Sequence, residues 1–210
     1  CVGIGEPVTD ARGVTAYVYD VMNRLKKVTN PDGTEIAYTY DAKGNRTSVA
    51  VPSGITVYTY DDLNRLKTVT DPDGGVTTYT YNNVGNRKSV TYPNGVAAEY
   101  MYDRLNRLIK LENRNADGDL ISGYIYTLGP AGNREQVEEL HSGRVVKYAY
   151  DELHRLTAEE ITDRVLGNET ISYTHDAFGN RLTKGSSEGT VSYSYNSNDE
   201  LLSETGLTYG

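Results

Sequence analysis

Aromatic or apolar positions alternate with polar positions in short runs along the chain. The clearest runs centre on the tripeptide Tyr-x-Tyr, as in "YTYDAKGNRTSV", where Tyr38 and Tyr40 would project from one face of a strand and Thr39 from the other. Gly, Asn, Asp and Pro separate successive runs, and these residues favour turns. The pattern therefore predicts an all-β chain of short strands joined by tight turns.

The Tyr-x-Tyr tripeptide recurs at nine places, at steps of 20 to 25 residues, and one copy is degraded to Tyr-Thr-His. Internal repetition at a regular period indicates a repeat architecture, so we interpret these tyrosines as structural positions of a repeat. The first tyrosines of the copies are Tyr17, Tyr38, Tyr58, Tyr79, Tyr100, Tyr124, Tyr148, Tyr173 and Tyr193. The clearest second tyrosines are Tyr40, Tyr60, Tyr81 and Tyr102.

An Asp or Asn usually follows the tripeptide, and a Gly or Asn usually stands three residues further on. Asp suits the first position of a type I turn, and Gly and Asn tolerate the positive φ that closes such a turn. We therefore predict that each copy is a hairpin whose loop is a type I turn with a G1 bulge. The clearest turn positions are Asp41, Gly44, Asp61, Asn64, Gly85, Asp103 and Asn106.

A second kind of turn, written "NPDG", "DPDG" or "YPNG", returns the chain to the next Tyr-x-Tyr. Each repeat is therefore predicted to be one β-hairpin of about 20 residues. The triplets "GNR" and "NRL" alternate between copies, which indicates a larger unit of two hairpins. We predict a lead-in over residues 1–13, nine hairpin repeats over 14–205, and the end of the array or the start of a truncated repeat at 206–210.

The composition agrees with a thin-cored β protein and excludes several classes of partner. The chain has 210 residues, with 19 Tyr, one Phe and no Trp, so most of its bulky side chains carry a hydroxyl that suits half-wet surfaces. A net charge of -8 argues against nucleic acid and anionic membranes, which require a basic surface. No run of 18 apolar residues exists, so no transmembrane segment is predicted.

The single cysteine, Cys1, cannot form an intramolecular disulfide. A mature chain that begins at cysteine is what a lipid-anchored bacterial lipoprotein would show. The alternative is a fragment that happens to begin there. A lipid anchor through Cys1 is therefore one of two open interpretations.

The repeats resemble the YD repeat of the Rhs family, which includes bacterial Rhs toxins, the shell components of Tc toxin complexes, and teneurins. The resemblance lies in "YTYDAKGNRTSV" and "YTYDDLNRLKTVTDPDG" and extends over about residues 14 to 205. It implies repeats that wind into a hollow shell, which encloses an effector polypeptide in the toxins and serves extracellular adhesion in teneurins. With nine repeats, this chain would form an arc or about one coil of such a shell.

Nine hairpins would give about 18 strands in one long antiparallel sheet, and sheets of this width curl or close through the right-handed strand twist. We therefore expect a curled or spiralling sheet, a partial shell or barrel-like coil. Tyrosines of neighbouring repeats should form a ladder of rings. An alternative for the tyrosine stripe is a platform on which sugars stack. Unpaired strands at the ends of the sheet should favour edge-to-edge self-association or a covering segment.

No residue pattern points to catalysis or to a cofactor. The histidines His141, His154 and His175 occupy positions set by the repeat, and no pair has zinc-ligand spacing. The segment 113–119 imitates part of a calcium loop, but its twelfth position is Tyr124 instead of Glu. We therefore expect no metal, no cofactor and no enzyme activity.

Two functions follow as hypotheses. The first is a non-catalytic structural module, a curved β wall or scaffold that encloses or supports another polypeptide or a neighbouring shell segment in a toxin-associated protein. The second is an extracellular adhesion or carbohydrate-binding module that recognises a cell-surface glycan. Both place the chain in a secreted or cell-surface location, with a bacterial origin implied by the resemblance.

Overall fold

A computed structural model describes residues 3–4, 6–11 and 13–206. Strands and turns make up this part of the chain, and it contains no helix, which confirms the predicted all-β class with tandem hairpins. Cys1 lies outside the described residues, so its lipid anchor stays a prediction. None of the described residues forms a helix that is long and apolar enough to cross a bilayer.

The described residues form twenty strands, most of them five to seven residues long, and the pairings between them are antiparallel. The strands are β1 Gly3–Ile4, β2 Val8–Asp10, β3 Gly13–Tyr19, β4 Leu25–Thr29, β5 Glu35–Tyr40, β6 Arg46–Val51, β7 Gly54–Tyr60, β8 Leu66–Thr70, β9 Val76–Tyr81, β10 Arg87–Thr91, β11 Ala97–Tyr102, β12 Leu108–Arg114, β13 Leu120–Leu128, β14 Arg134–Glu139, β15 Val145–Tyr150, β16 Leu156–Thr162, β17 Glu169–His175, β18 Arg181–Ser186, β19 Gly189–Tyr195 and β20 Leu201–Thr205.

The chain divides into two compact units, an N-terminal unit, Cys1–Ala98, and a C-terminal unit, Glu99–Gly210. In the N-terminal unit each strand from β3 to β10 pairs with the next, and β1 and β2 both pair with β3. In the C-terminal unit each strand from β12 to β20 pairs with the next. Strands β1 and β2 lie within the stretch 1–13 that we assigned as a lead-in.

The core of each unit is thin and lies on the face that carries the tyrosines. Val90, which is 2% exposed, pairs with Tyr79, and Val137 pairs with Tyr126. The opposite face carries polar residues such as Thr59. Small β-branched side chains and half-buried tyrosine rings therefore supply most of the apolar contact, as the composition suggests. The residues classed as buried core in the described part of the chain are Val90, Ala98, Val137, Val146 and Val191.

A further β-bulge, distinct from the predicted G1 bulge of the loop, lies on the second strand of the hairpin in most repeats, and the sequence analysis did not predict it. In the hairpin of β5 and β6, Thr39 pairs with Ser48 but Tyr40 pairs with Arg46, so Thr47 is an extra residue. Such a bulge increases the local right-handed twist. The same shift occurs in the hairpins β3–β4, β7–β8, β9–β10, β13–β14, β15–β16, β17–β18 and β19–β20.

Candidate functional site

The most distinctive structure in each unit is the row of turns that follow the Tyr-x-Tyr tripeptides, which we call the YD turns. In one of them the backbone N–H of Asp41 donates to the carbonyl of Asn45 at 2.9 Å, and that of Gly44 donates to the carbonyl of Asp41 at 3.1 Å. The Asp41 carboxylate accepts the N–H groups of Lys43 and Asn45 at 2.9 and 2.8 Å. The carboxylate therefore holds the loop closed from inside.

The residue that closes each YD turn has a positive φ. Gly44 has a φ of 95° and Gly85 of 94°, while Asn64 and Asn106 have φ values of 60° and 61°. His154 fills this position with a φ of 59°. Gly and Asn are the residues that adopt this region most readily, so the turn chemistry read from the sequence matches the backbone that the structure shows.

An arginine in the "NRL" repeats links its own YD turn to the next hairpin. The Arg24 Nε donates to the Asp20 carboxylate at 2.7 Å, and its Nη1 donates to the carbonyl of Asp41 in the next YD turn at 3.1 Å. Its guanidinium also lies over the ring of Tyr40, at 4.6 Å from the centroid. The equivalent arginines are Arg65, Arg107 and Arg155.

An asparagine makes the corresponding link from the "GNR" repeats. The Asn45 side-chain amide donates to Asp41 at 2.9 Å and to the side chain of Asn64 in the next YD turn at 3.1 Å. Asn180 makes the same pair of bonds, to Asp176 and Asp199. Two kinds of forward link thus alternate along the row, which gives a physical reason for the two-hairpin period seen in the sequence.

The second tyrosine of several repeats anchors its strand to the preceding hairpin. The Tyr60 hydroxyl donates to the carbonyl of Arg46 at 2.8 Å, and the Tyr81 hydroxyl donates to the carbonyl of Leu66 at 2.8 Å. Each accepting residue is the first of its strand, where the bulge shifts the ladder. The other tyrosines that make this bond are Tyr40, Tyr150 and Tyr195.

The predicted ladder of contacting tyrosine rings is wrong. In the residues that the structure describes, a ring-to-ring tyrosine contact occurs between Tyr124 and Tyr126, which belong to one tripeptide. Rings of successive repeats are separated by the strand between them, which places Val49 opposite Tyr38. Among the described residues, guanidinium groups lie over six of the tyrosine rings; the guanidinium of Arg46, for example, lies 5.0 Å from the centroid of the Tyr58 ring.

The turn carboxylates are stabilised in their charged form. The Arg65 side chain and backbone N–H groups that donate to Asp61 hold the pKa of that carboxyl below its ordinary value of 3.8. The side-chain amide of Asn45 does the same for the pKa of Asp41. These aspartates therefore act as structural acceptors at neutral pH and are not poised to exchange protons.

The remaining candidates for chemistry do not form a site. Within the described ranges, no three His, Cys, Asp or Glu residues are grouped so that they could hold a metal ion. In the loop that imitates a calcium site, the side-chain oxygen of Asn115 accepts the backbone N–H groups of Asp117 and Asp119. The loop is thus an ordinary polar turn of the kind found elsewhere in the chain.

The linking arginines and asparagines were missed by the sequence analysis. Their signal was present, because Arg24, Arg65, Arg107 and Arg155 each stand four residues after a turn Asp, and Asn45 and Asn180 stand in the same position. The sequence does not show, however, which backbone group of the next hairpin these side chains reach. That depends on the register between hairpins.

The fold and the row of linked turns define a tandem β-hairpin repeat protein. Residues 8–35, 23–56 and 60–97 match the family model for the RHS repeat. These matches lie between residues 8 and 97, and they confirm the resemblance to RHS repeats drawn from the sequence. No curated protein sequence matches the chain.

Solved structures of Tc toxin components have a similar fold. Over 96% of the chain, a crystal structure of TcdB2-TccC3 without its hypervariable C-terminal region has a TM-score of 0.59 and 17% identity, and one of TcdB2-TccC3 has a TM-score of 0.58 and 16% identity. The Photorhabdus luminescens Tc holotoxin pore matches 90% of the chain with a TM-score of 0.52 and 15% identity. The chain spans only 13% to 16% of those proteins' length.

Proposed function

We propose that this chain is a non-catalytic structural module, a segment of an RHS-type wall that encloses or supports another polypeptide. The observation that carries the proposal is the alternating forward link. In the N-terminal unit Arg24 and Asn45 each fasten one YD turn to the next, and Arg155 and Asn180 do the same in the C-terminal unit, so hairpins within a unit are held by their neighbours. A chain built from such nearest-neighbour contacts extends a sheet and adds stability repeat by repeat.

The chemistry of the two sheet faces supports the same proposal. The tyrosine face is half-buried and holds the core residues, while the opposite face presents hydroxyl pairs such as Thr59 with Thr68 at 2.6 Å. The acidic side chains of the YD turns are already engaged by arginine or amide groups. These turn carboxylates and hydroxyl pairs are therefore used to maintain the wall, which favours a structural role over catalysis.

The partner and location belong to this proposal. The likeness to TcdB2-TccC3 favours a polypeptide as the partner, either enclosed by the wall or belonging to a neighbouring wall segment. It also favours a secreted location, with the chain as part of a toxin-associated protein. The glycan-binding alternative receives no support, because guanidinium groups such as that of Arg65 over Tyr81, at 4.5 Å, cover ring faces on which a sugar would stack.

Photo-crosslinking tests which face meets a polypeptide. Benzoyl-phenylalanine replaces Thr77, which lies on the tyrosine face beside Val69, or its neighbour Thr78, which lies on the opposite face beside Thr68. Each protein is irradiated with a permanently unfolded probe, reduced and carboxymethylated α-lactalbumin. We expect crosslinks mainly from position 77. Equal crosslinking from positions 77 and 78 would contradict the wall proposal, and so would selective binding of one glycan on a glycan array.

A further inference from the structure

The YD turns of the N-terminal unit expose apolar side chains at their tips. Met22, Leu63 and Val84 each occupy the third position of a YD turn, and they are 72%, 68% and 68% exposed. Lys43 stands at this position in the remaining YD turn of the unit. We call the surface formed by the row of YD turns, at one end of the strands, the YD edge, and the row of turns at the other end of the strands the opposite edge. Turn tips are ordinarily polar, so three apolar tips along the YD edge require an explanation.

The C-terminal unit repeats this choice. Three of its five YD turns place large apolar residues at the same third position, each at least 70% exposed: Leu105, Leu153 and Phe178. The other two have Ala131 and Asn198 there. An apolar third position therefore recurs in the YD turns of both units.

The opposite edge of the N-terminal unit provides an internal comparison. In the C-terminal unit that edge is not uniformly polar, because Val165 and Leu166, in the turn between β16 and β17, are 87% and 88% exposed. The turns that begin at Asn30, Asp71 and Tyr92 have the same backbone hydrogen bonds as the YD turns; for example, the N–H of Gly33 donates to the carbonyl of Asn30 at 2.9 Å. Their third positions are polar and exposed: Asp32, Asp73 and Asn94. A type I turn accepts most residues at this position, so turn geometry does not explain why, in the N-terminal unit, the tips of the YD turns are apolar and those of the opposite edge are polar. The apolar tips therefore serve a contact outside their own hairpin.

The spacing of the tips limits what can cover them. Successive YD turns are two strands apart, so the tips recur about every 10 Å along the edge. A partner that contacts several tips at once must present apolar groups with the same period. The YD edge of another copy of this chain has that period.

The charges along the two edges favour the same partner. At the YD edge the carboxylates of Asp20 and Asp61 are paired with arginines at 2.7 Å, and the exposed residues Lys43 and Asp62 carry opposite charges. The opposite edge carries Asp32 and Asp73 at its tips. For a chain with a net charge of -8, the YD edge is thus the one where two copies approach with less repulsion.

We infer that the YD edge is a self-association surface, on which a second copy of the chain docks tip to tip. The inference rests on the tips themselves and does not depend on the proposed enclosure of another polypeptide. The contact is a row of small apolar groups above neutralised carboxylates. Its area is modest, so the association is reversible and depends on concentration.

Disulfide trapping tests the geometry directly. In a Cys1→Ser background, Leu63→Cys places a thiol at a YD tip and Asp73→Cys places one at the matching position of the opposite edge. Under a mild oxidant we expect the tip variant to form covalent dimers at least about ten times faster than the control, a ratio that corresponds to about 1.4 kcal/mol. Equal rates of dimer formation would overturn the inference.

Sedimentation velocity over a concentration series tests the tips without a crosslink. The triple variant Met22→Asp, Leu63→Asp and Val84→Asp introduces a residue that type I turns accept at this position, so it should retain the β-sheet circular dichroism spectrum of the parent. We expect the parent chain to associate as concentration rises and the triple variant to remain monomeric. A parent chain that stays monomeric, or one that instead binds phosphatidylcholine vesicles through these tips, would contradict self-association.

Discussion

Removing one tyrosine hydroxyl should measurably loosen the contact between two neighbouring hairpins. The Tyr81 hydroxyl donates to the carbonyl of Leu66 at 2.8 Å, across the junction between the β7–β8 and β9–β10 hairpins. Leu66 stands at the bulge, where Tyr60 pairs with it after the register shift. The substitution Tyr81→Phe keeps the ring and deletes only the donor, so it isolates this bond.

The magnitude follows from the environment of the bond. A net hydrogen bond contributes about 0.5–1.5 kcal/mol to folding stability, and a partly buried carbonyl left without its donor lies toward the upper end of that range. For a chain of this size, 1 kcal/mol lowers the Tm by about 2–4 °C. We therefore expect Tyr81→Phe to lower the Tm by roughly 1–6 °C. The triple change of Tyr40, Tyr60 and Tyr81 to Phe should cost about 1.5–4.5 kcal/mol, since the three bonds are separate.

Urea denaturation and differential scanning calorimetry of both proteins measure these losses. The matched control is Tyr79→Phe on the same strand, because the hydroxyl of Tyr79 has no hydrogen-bond partner among the described residues and should lose little. Equal destabilisation by Tyr79→Phe and Tyr81→Phe would refute the reasoning. It would show that tyrosine hydroxyls act through general solvation and not through this bond.

Three further predictions concern the turns and one unusual tyrosine. Because folding lowers the pKa of Asp61, this carboxylate stabilises the fold fully at a pH above its ordinary pKa, and the contribution is lost as the pH falls through the lowered pKa. In urea titrations, Asp61→Asn should therefore reduce the loss of folding stability that occurs below about pH 4. Gly44 has a φ of 95°, so Gly44→Ala should destabilise by about 1 kcal/mol while Asn64→Gly is nearly neutral in the same assay. Burial and a 2.6 Å hydrogen bond to Glu159 raise the pKa of Tyr173 to about 12. A ¹³C NMR titration should find a lower Tyr173 pKa in the Glu159→Gln variant. An unchanged Tyr173 pKa would show that the carboxylate has no influence.

Local chemistry explains why the hairpins could be predicted from the sequence. The period of two in "YTY" places both rings on one face, and the pairing of Asp41 with Gly44 encodes a turn whose hydrogen bonds form within five residues. Both signals depend only on neighbours in the chain. The tandem arrangement then follows from repetition.

The contacts between hairpins could not be predicted in the same way. The bond from Arg24 to the carbonyl of Asp41 spans 17 residues, and the bond from Tyr81 to Leu66 spans 15. Both depend on the bulge that adds one residue to the second strand, and a one-residue change of register moves side chains to the other face. The ladder of tyrosine rings was a wrong prediction for this reason, because an intervening strand with valine stands between the rings.

Hydrogen–deuterium exchange of an Arg155 variant measures the coupling between neighbouring hairpins. The Arg155 guanidinium donates to Asp151 and to the carbonyl of Asp176 in the next YD turn, at 2.6 Å each. In Arg155→Met we expect faster exchange in β17 and β18 of the next hairpin and no change in β13 and β14, whereas Glu152→Ala at the exposed tip of the same turn should change neither. Faster exchange confined to the turn of Arg155 itself, or spread evenly over the chain, would contradict the account.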